Sequence, residues 1–317
     1  MPRVVVLGSS GYDLTIRLPR LPRPGETLLG GELLRGPGGK GANQAIAARR
    51  AGAEVVFLTA FGDDDFGRLI AGNDRAEGLD LGFARVVGET ANQVALIFVG
   101  DDGQNAIGVA PGASARLGPE VVDALPEHVF RDGGVFLACL EVPLATVRRG
   151  LERARGAGMV TILNPAPADR SVREVDLLRL VDLLTPNQEE AQVLTGLPAG
   201  TPDEAARAAR ALRECGAAGV VLTMGEAGCL VESAEGTALV PAPRVAAVDT
   251  VGAGDAFNGA LAVALAEGRP LAEAAAFATA AGSWAVTKPG AQGALPTRAE
   301  IERLVFERLV FERRMTR

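Results

Sequence analysis

The sequence predicts a three-layer α/β domain with a mostly parallel sheet, plus a small β-sheet that packs apart from it. Two observations carry this. From Val135 onward, short apolar runs alternate with longer stretches of helix formers, and strands separated by helices make βαβ units. Earlier, two β-rich stretches near 12–36 and 90–110 break that rhythm and are assigned to the small sheet, a candidate lid. A length of 317 residues suits one large domain or two modest ones.

In order along the chain, Val4 to Leu7 is an apolar run ended by Gly8-Ser9-Ser10-Gly11, which reads as a buried strand and a loop. Pro19, Pro22, Pro24 and Gly25 break the next stretch. Glu26 to Arg35 reads as a weak strand, and Gly36-Pro37-Gly38-Gly39-Lys40-Gly41 as a glycine-rich loop. Ala42 to Ala51 has strong helix formers and no breaker. Val55 to Thr59 is a strand and Asp65 to Glu77 a helix. Val94 to Val99 and Asn105 to Val109, joined by Asp101-Asp102-Gly103, form a hairpin. Strands follow at Val135–Ala138, Val160–Leu163, Leu183–Thr185 and Val220–Thr223. Helices lie between them at Leu144–Ala157, Asn187–Leu194 and Pro202–Cys215. Three long helices close the chain, at Gly254–Glu267, Leu271–Val286 and Arg298–Arg313. Leu-Val-Phe-Glu-Arg occurs at 304–308 and again at 309–313; a period of five matches no helical face, so it reads as a local duplication.

Composition excludes several classes of function. Basic residues number 32 against 39 acidic, a net charge of −7, which argues against a nucleic-acid partner held by a basic surface. Only Lys40 and Lys288 are lysines, and His128, Trp284 and Tyr12 are the sole residues of their kinds. A His-rich metal site cannot be built, and any Ser-His-Asp mechanism would have to use His128. Acid–base and phosphate chemistry must then come from carboxylates, backbone amides, Arg or the two lysines. The three cysteines, Cys139, Cys215 and Cys229, have no CxxC spacing and read as reduced residues of a cytoplasmic protein. The apolar run after the N-terminus is too short for a signal peptide, and no apolar run reaches membrane-spanning length.

The sharpest motif is Asp249-Thr250-Val251-Gly252-Ala253-Gly254-Asp255-Ala256-Phe257-Asn258-Gly259. Small residues at 252–254 let the backbone approach a ligand, and the helix that starts there offers unpaired N–H groups to an anion. Asp255 adds a carboxylate in the first turn. That combination suits phosphoryl transfer: amides hold the developing charge and the carboxylate takes a hydroxyl proton.

A second motif is Gly38-Gly39-Lys40-Gly41-Ala42-Asn43, a turn ahead of a helix that can bind a hydroxylated ligand. Residues 36–41 match GxGxxG, but the match does not directly follow the first strong strand and Pro37 suits it badly, which disfavours a dinucleotide site and a nicotinamide-dependent oxidoreductase. It is no P-loop either, because Gly41 follows Lys40 where Ser or Thr is required. Third, Asn187 and Glu190 share a helix face. They suit water-coordinated Mg²⁺ near phosphates, and equally a capping box. Fourth, Thr223-Met224-Gly225-Glu226-Ala227-Gly228 suits a nucleotide phosphate or ribose, and equally a hairpin turn. Fifth, Asp13 and Glu141 end strand–loop units, where carboxylates chelate sugar hydroxyls or simply solvate a loop.

Together these motifs resemble the ribokinase-type (PfkB) carbohydrate kinase family, over nearly the whole chain from Val4 to Ile301. Gly38–Asn43 and Asp249–Gly259 match its two signatures, and Asn-Pro-Ala-Pro-Ala at 164–168, Thr-Pro-Asn at 185–187 and Val-Thr-Lys-Pro-Gly-Ala-Gln at 286–292 add detail. The resemblance implies a Rossmann-like α/β body with a β-sheet lid, and a homodimer formed through the lids. It implies ATP-dependent phosphorylation of a small sugar's primary hydroxyl, with D-ribose at O5 first. Fructose, 2-keto-3-deoxygluconate or adenosine are alternative substrates, and a binding protein without turnover is an alternative class.

By the same resemblance Asp255 is the catalytic base, and Gly252, Ala253 and Gly254 form the anion hole. The sugar site comprises Gly11, Asp13, Gly39, Lys40, Gly41, Ala42, Asn43 and Glu141. ATP falls to Asn187, Thr223, Met224, Gly225, Glu226, Ala227, Gly228, Gly254 and Thr279, with Glu190 ordering Mg²⁺ through water. An activating K⁺ falls to Asp249, Val251, Ala285, Lys288, Gly290 and Ala294, mostly through backbone carbonyls. The chain departs from the family at Gly11, where Asn is usual, at Ala91-Asn92-Gln93, where Thr-Gly is usual, and at Thr279, where His is frequent.

Overall fold

Strands buried on both faces need apolar residues at nearly every position, and the short Val-, Leu- and Ile-rich runs supply them. The computed structural model describes residues 1–130, 133–174 and 176–315. Its first half comprises β1 (Arg3–Leu7), β2 (Gly11–Leu18), β3 (Leu33–Gly38), α1 (Lys40–Arg50), β4 (Glu54–Leu58), β5 (Ala60–Gly62), α2 (Asp65–Ala76), β6 (Arg85–Val87), β7 (Gln93–Gly100), β8 (Asn105–Ala110) and α3 (Glu120–Asp123). The alternating half follows with β9 (Val135–Cys139), α4 (Leu144–Gly156), β10 (Val160–Asn164), α5 (Ser171–Glu174), β11 (Leu183–Leu184), α6 (Gln188–Thr195), α7 (Pro202–Glu214) and β12 (Gly219–Thr223). Then come β13 (Cys229–Ser233), β14 (Gly236–Val240), α8 (Ala253–Ala266), α9 (Leu271–Ala285) and α10 (Arg298–Met315), which holds both copies of the duplicated pentapeptide.

The main sheet runs β14-β13-β12-β11-β10-β9-β1-β4. Its pairs are parallel from β4 to β12, while β13 and β14 add an antiparallel edge. Alternate side chains enter opposite layers. Val5, Leu7, Phe136 and Ala138 pack with Val147 and Leu151 of α4 and Leu212 of α7. Val4, Val6, Val135 and Leu137 pack with Ile46 of α1, Phe257 of α8 and Phe277 of α9. This is the three-layer body that periodicity predicts. Helix starts are locally encoded: Asn187/Glu190 and Thr201/Glu204 are capping boxes, with Pro202 in the first turn of α7. No helix among the described residues is long and apolar enough to cross a membrane.

A separate four-stranded sheet has the order β3-β2-β7-β8. It departs from the sequence reading at one strand. Residues 26–32 are not strand, and β3 runs through Gly36 to Gly38, part of the supposed loop. The register with β2 explains this: Gly38 pairs Gly11 and Gly36 pairs Asp13, whose carboxylate reaches over Gly38, so a side chain at Gly38 would collide with it. Asp13 accordingly sits inside β2 rather than at the end of a strand–loop unit. The β5–β6 pair and the β13–β14 edge are further strands that periodicity did not predict.

Candidate active site

Helix α8 begins where its sequence dictates. Gly252 precedes the first turn with φ 77°, and a side chain there would meet the backbone of Ala291 at 3.0 Å. The helix start leaves N–H groups without intrahelical acceptors, and its dipole is positive. Asp255 stands in that first turn and is buried.

Both carboxylate oxygens of Asp255 carry donors from α1. Asn43 Nδ2 donates to Oδ2 at 2.9 Å and Gln44 Nε2 to Oδ1 at 3.0 Å. Gln44 Nε2 also donates to Asn164 Oδ1 at 3.0 Å, and Asn164 Nδ2 donates to the Thr185 carbonyl at 3.0 Å. Thr185 Oγ1 donates to Asn258 Oδ1 at 2.6 Å, and Asn258 Nδ2 returns to the Gly254 carbonyl at 2.8 Å. The ring of bonds thus closes on α8, locking the Asp255 carboxylate and the helix start together. Burial pushes the Asp255 carboxyl up, while the Lys40 ammonium and the amides of Asn43 and Gln44 oppose that shift.

A cavity of about 570 Å³ opens at Asp255. Asp13, Gly39, Lys40, Asn43, Glu141, Asn187 and Glu190 line it, and Ala95, Ile97, Ile107 and Val109 of the small sheet cover it. Gly39 takes φ 89° to turn the chain from β3 into α1. Of the predicted sugar residues, Asp13, Gly39, Lys40, Asn43, Glu141 and Asp255 therefore meet in one cavity, while Gly11, Gly41 and Ala42 are buried behind it. Glu141 Oε2 accepts from the Lys40 backbone N–H at 2.9 Å and from Ser9 Oγ. Burial and the nearby carboxylates of Glu141 and Asp255 push the Asp13 carboxyl up to about 6. The Asp255 carboxylate raises the pKa of Lys40, keeping that buried side chain charged.

A second cavity, of about 920 Å³, lies on the other side of the α8 start. Its walls are Thr223 and Gly225–Gly228, the 242–247 segment, Phe257 and Thr279. Thr223, Thr250 and Gly254 line both cavities, so the two spaces meet at the helix N-terminus. Residues 224–228 form the turn that joins antiparallel β12 and β13, and Gly225–Gly228 also form the cavity wall, whereas Met224 is buried and does not line it. Asn187 and Glu190 likewise form a capping box and face the first cavity. The Thr223 N–H donates to the Pro186 carbonyl at 2.9 Å, which brings those two motifs side by side. Thr279 lines the second cavity, and its Oγ1 donates to the Ala275 carbonyl at 2.7 Å within α9.

Of the predicted K⁺ positions, Asp249, Val251 and Gly290 are brought together. Asp249 accepts from the Val251 N–H at 3.0 Å and the Gly290 N–H at 2.8 Å, tying the 249–252 turn to the 288–294 loop. The Lys288 ammonium, however, points to Glu300 at 3.5 Å and over the Trp284 ring. Gln44, Asn164 and Ser9 have no role in the sequence reading, and Gln93 enters it only within the departure at 91–93. Asn164 lies inside a string that carries the family resemblance and Gln44 directly follows one, and that position was their only signal. His128 is exposed, away from both cavities.

Comparison with known proteins agrees with this geometry. A family model described as pfkB family carbohydrate kinase matches residues 1–298. The chain is 37% identical over 297 residues to a ribokinase of Haemophilus influenzae, covering 94% of this chain and 96% of the relative. It is also 37% identical over 296 residues to a deoxyribokinase of Salmonella typhi, covering 93% and 95%. The solved structure of Arabidopsis thaliana ribokinase complexed with ribose and ATP superposes with a TM-score of 0.86 at 31% identity, over 96% of this chain and 98% of that one. A nicotinamide-dependent oxidoreductase is thereby set aside, and the chain belongs to the pfkB family of carbohydrate kinases.

Proposed function

We propose that this carbohydrate kinase transfers the γ-phosphoryl group of ATP to the 5-hydroxyl of D-ribose, with Asp255 as base. The observation that carries this is the Asp255 carboxylate, held by Asn43 and Gln44 where the two cavities meet. The sugar occupies the cavity under the small sheet, which acts as a lid. Asp13 and Glu141 accept from its hydroxyls. ATP occupies the larger cavity, with its γ-phosphate at the Gly252–Gly254 turn.

As the sugar oxygen attacks phosphorus, its proton passes to Asp255 and the bond to ADP breaks. The amides of the turn and the α8 dipole hold the charge on the moving phosphoryl group. The Lys40 ammonium opposes the upward push of burial on the Asp255 carboxyl and so favours its ionised form. Asn43 and Gln44 fix the carboxylate's orientation, and the lid excludes water.

Glu190 fits a Mg²⁺ role in the donor it offers: a carboxylate that lines the cavity. No group of three or more His, Cys, Asp or Glu suited to a metal ion occurs among the described residues, so phosphate and water oxygens would complete the shell. Bound there, Mg²⁺ would neutralise phosphate charge. Asp249 and the carbonyls of Val251, Ala285, Gly290 and Ala294 offer the hard oxygens that K⁺ prefers; Lys288 contributes only its backbone. Bound K⁺ would add positive charge behind the anion hole.

The outer face of the lid carries Leu14, Ile16, Leu33, Leu96 and Phe98, opposite the cavity-lining residues in the strand alternation. Leu33 and Leu96 are about half exposed, at 46% and 50%, which supports a homodimer through this face. Three free cysteines accord with a cytosolic setting.

The equal identity to a deoxyribokinase supports 2-deoxyribose as a second reading. ADP release measured with ribose, 2-deoxyribose, fructose, 2-keto-3-deoxygluconate and adenosine discriminates. Ribose is expected to give the highest kcat/KM. A higher value for adenosine or fructose would overturn the pentose assignment.

A further inference from the structure

Gly11 and Gln93 face each other across the parallel β2–β7 ladder, at the root of the lid sheet. A methyl group built on Gly11 would lie 3.2 Å from Gln93 Cγ and 3.3 Å from its Nε2. The space above Gly11 is thus filled by the glutamine reaching over from the neighbouring strand. These are the two places where the sequence departs from the family pattern near the sugar: a side chain is missing on β2 and one is gained on β7.

Gln93 is only 4% exposed, yet it lines the cavity beside Asp255. Its Nε2 donates to Glu141 Oε2 at 3.3 Å, a long bond to an oxygen that already takes the Lys40 N–H and the Ser9 hydroxyl. No protein donor among the described residues reaches its Oε1, and that atom is not sealed off from the cavity. A buried carboxamide is costly unless both its ends are bonded. One end here is weakly bonded and the other takes no protein donor among the described residues, in a residue that lines the cavity.

We propose that Gln93 is a specificity-determining residue: its carboxamide replaces the side chain absent at Gly11 and hydrogen-bonds the sugar hydroxyl that lies nearest Glu141. The ligand class is a free pentose. This rests on the sugar-kinase reading above. A site built to bond a hydroxyl penalises both an analogue lacking it and a site lacking the amide.

The test is a double-mutant cycle of wild type, Gln93→Gly, Gly11→Asn and the combined variant. ADP release with ribose and 2-deoxyribose gives kcat and KM, and thermal melting checks folding. Gln93→Gly is expected to raise the ribose KM about tenfold or more, with the loss on KM rather than kcat. Gly11→Asn alone, crowded by Gln93, is expected to lose as much or more. The combined variant is expected to regain about tenfold over Gly11→Asn, because the amide returns from the other strand. An unchanged ribose KM in Gln93→Gly, or a combined variant no better than the two losses multiplied, would overturn the proposal. If wild type releases no ADP with either pentose, the kinase reading itself fails. Calorimetric titration of ribose into wild type and Gln93→Gly then tests the contact by itself, and equal affinities overturn it.

Discussion

Asn43 Nδ2 donates to Asp255 Oδ2 at 2.9 Å, joining residues 212 positions apart and anchoring the start of α8 to the start of α1. With Gln44 on the other oxygen, the carboxylate is oriented by the protein rather than by the sugar.

Removing the base is the first test. Asp255→Asn keeps the shape and one of the two acceptor oxygens but cannot take a proton. It should lower kcat by about 10²–10⁴-fold while ribose still binds. Turnover by ADP release and binding by calorimetry check this, and near wild-type turnover would refute Asp255 as base.

Asn43→Ala tests the orienting bond. A donor to the carboxylate favours its charged form, so losing it adds to the upward push of burial on Asp255. The acidic limb of the kcat/KM profile should move to higher pH, with a loss of about tenfold or more at neutral pH. A profile from pH 5 to 9 measures the shift, and an unmoved limb would count against the coupling.

Asp74 makes a stability prediction. Burial pushes its carboxyl from 3.8 up to about 6, against the hydrogen bonds from Ser10 and Asn73. The fold therefore prefers the protonated form. Its contribution is fully present below pH 3.8 and is lost as pH rises through about 6, an effect on the order of 3 kcal/mol. Asp74→Asn does not titrate, so its Tm minus that of wild type should increase from pH 4 to pH 7. Parallel melting curves across that range would contradict it.

Leu96→Asp tests the dimer. A charge in the middle of the aliphatic outer face of the lid should turn dimer into monomer in light scattering. A wild type that is already monomeric, or a variant that stays dimeric, would remove the lid from the interface.

Potassium tests the loop that Asp249 ties together. At equal ionic strength, turnover should be faster in K⁺ than in Na⁺, and Asp249→Ala should abolish the difference. Equal wild-type rates would exclude a cation role for this loop.

Much of the fold was legible because its signals are local. The helix at Gly254–Glu267 and the strand at Val135–Ala138 differ from α8 and β9 by a residue at each shifted end. The strand placed at 26–35 was displaced because Gly36 to Gly38 carry no pattern of their own; pairing with β2 makes them strand. Asn187 and Glu190 suit two readings in sequence; the structure shows the capping box and has both residues lining the cavity. Lys288 sits inside a motif, yet its ammonium turns to Glu300, since a motif records position and not side-chain direction.

By itself the sequence determined the layers, the glycine turns and the carboxylate at a helix start, because periodicity, positive φ and capping act within a few residues. Only the tertiary structure decided what holds that carboxylate and what shapes the sugar end. Gln44 reaches Asp255 across 211 positions, and Gln93 fills the space above Gly11 from another strand. Such contacts depend on how β2 meets β7 and how α1 meets α8, and packing of that range leaves no trace in local order.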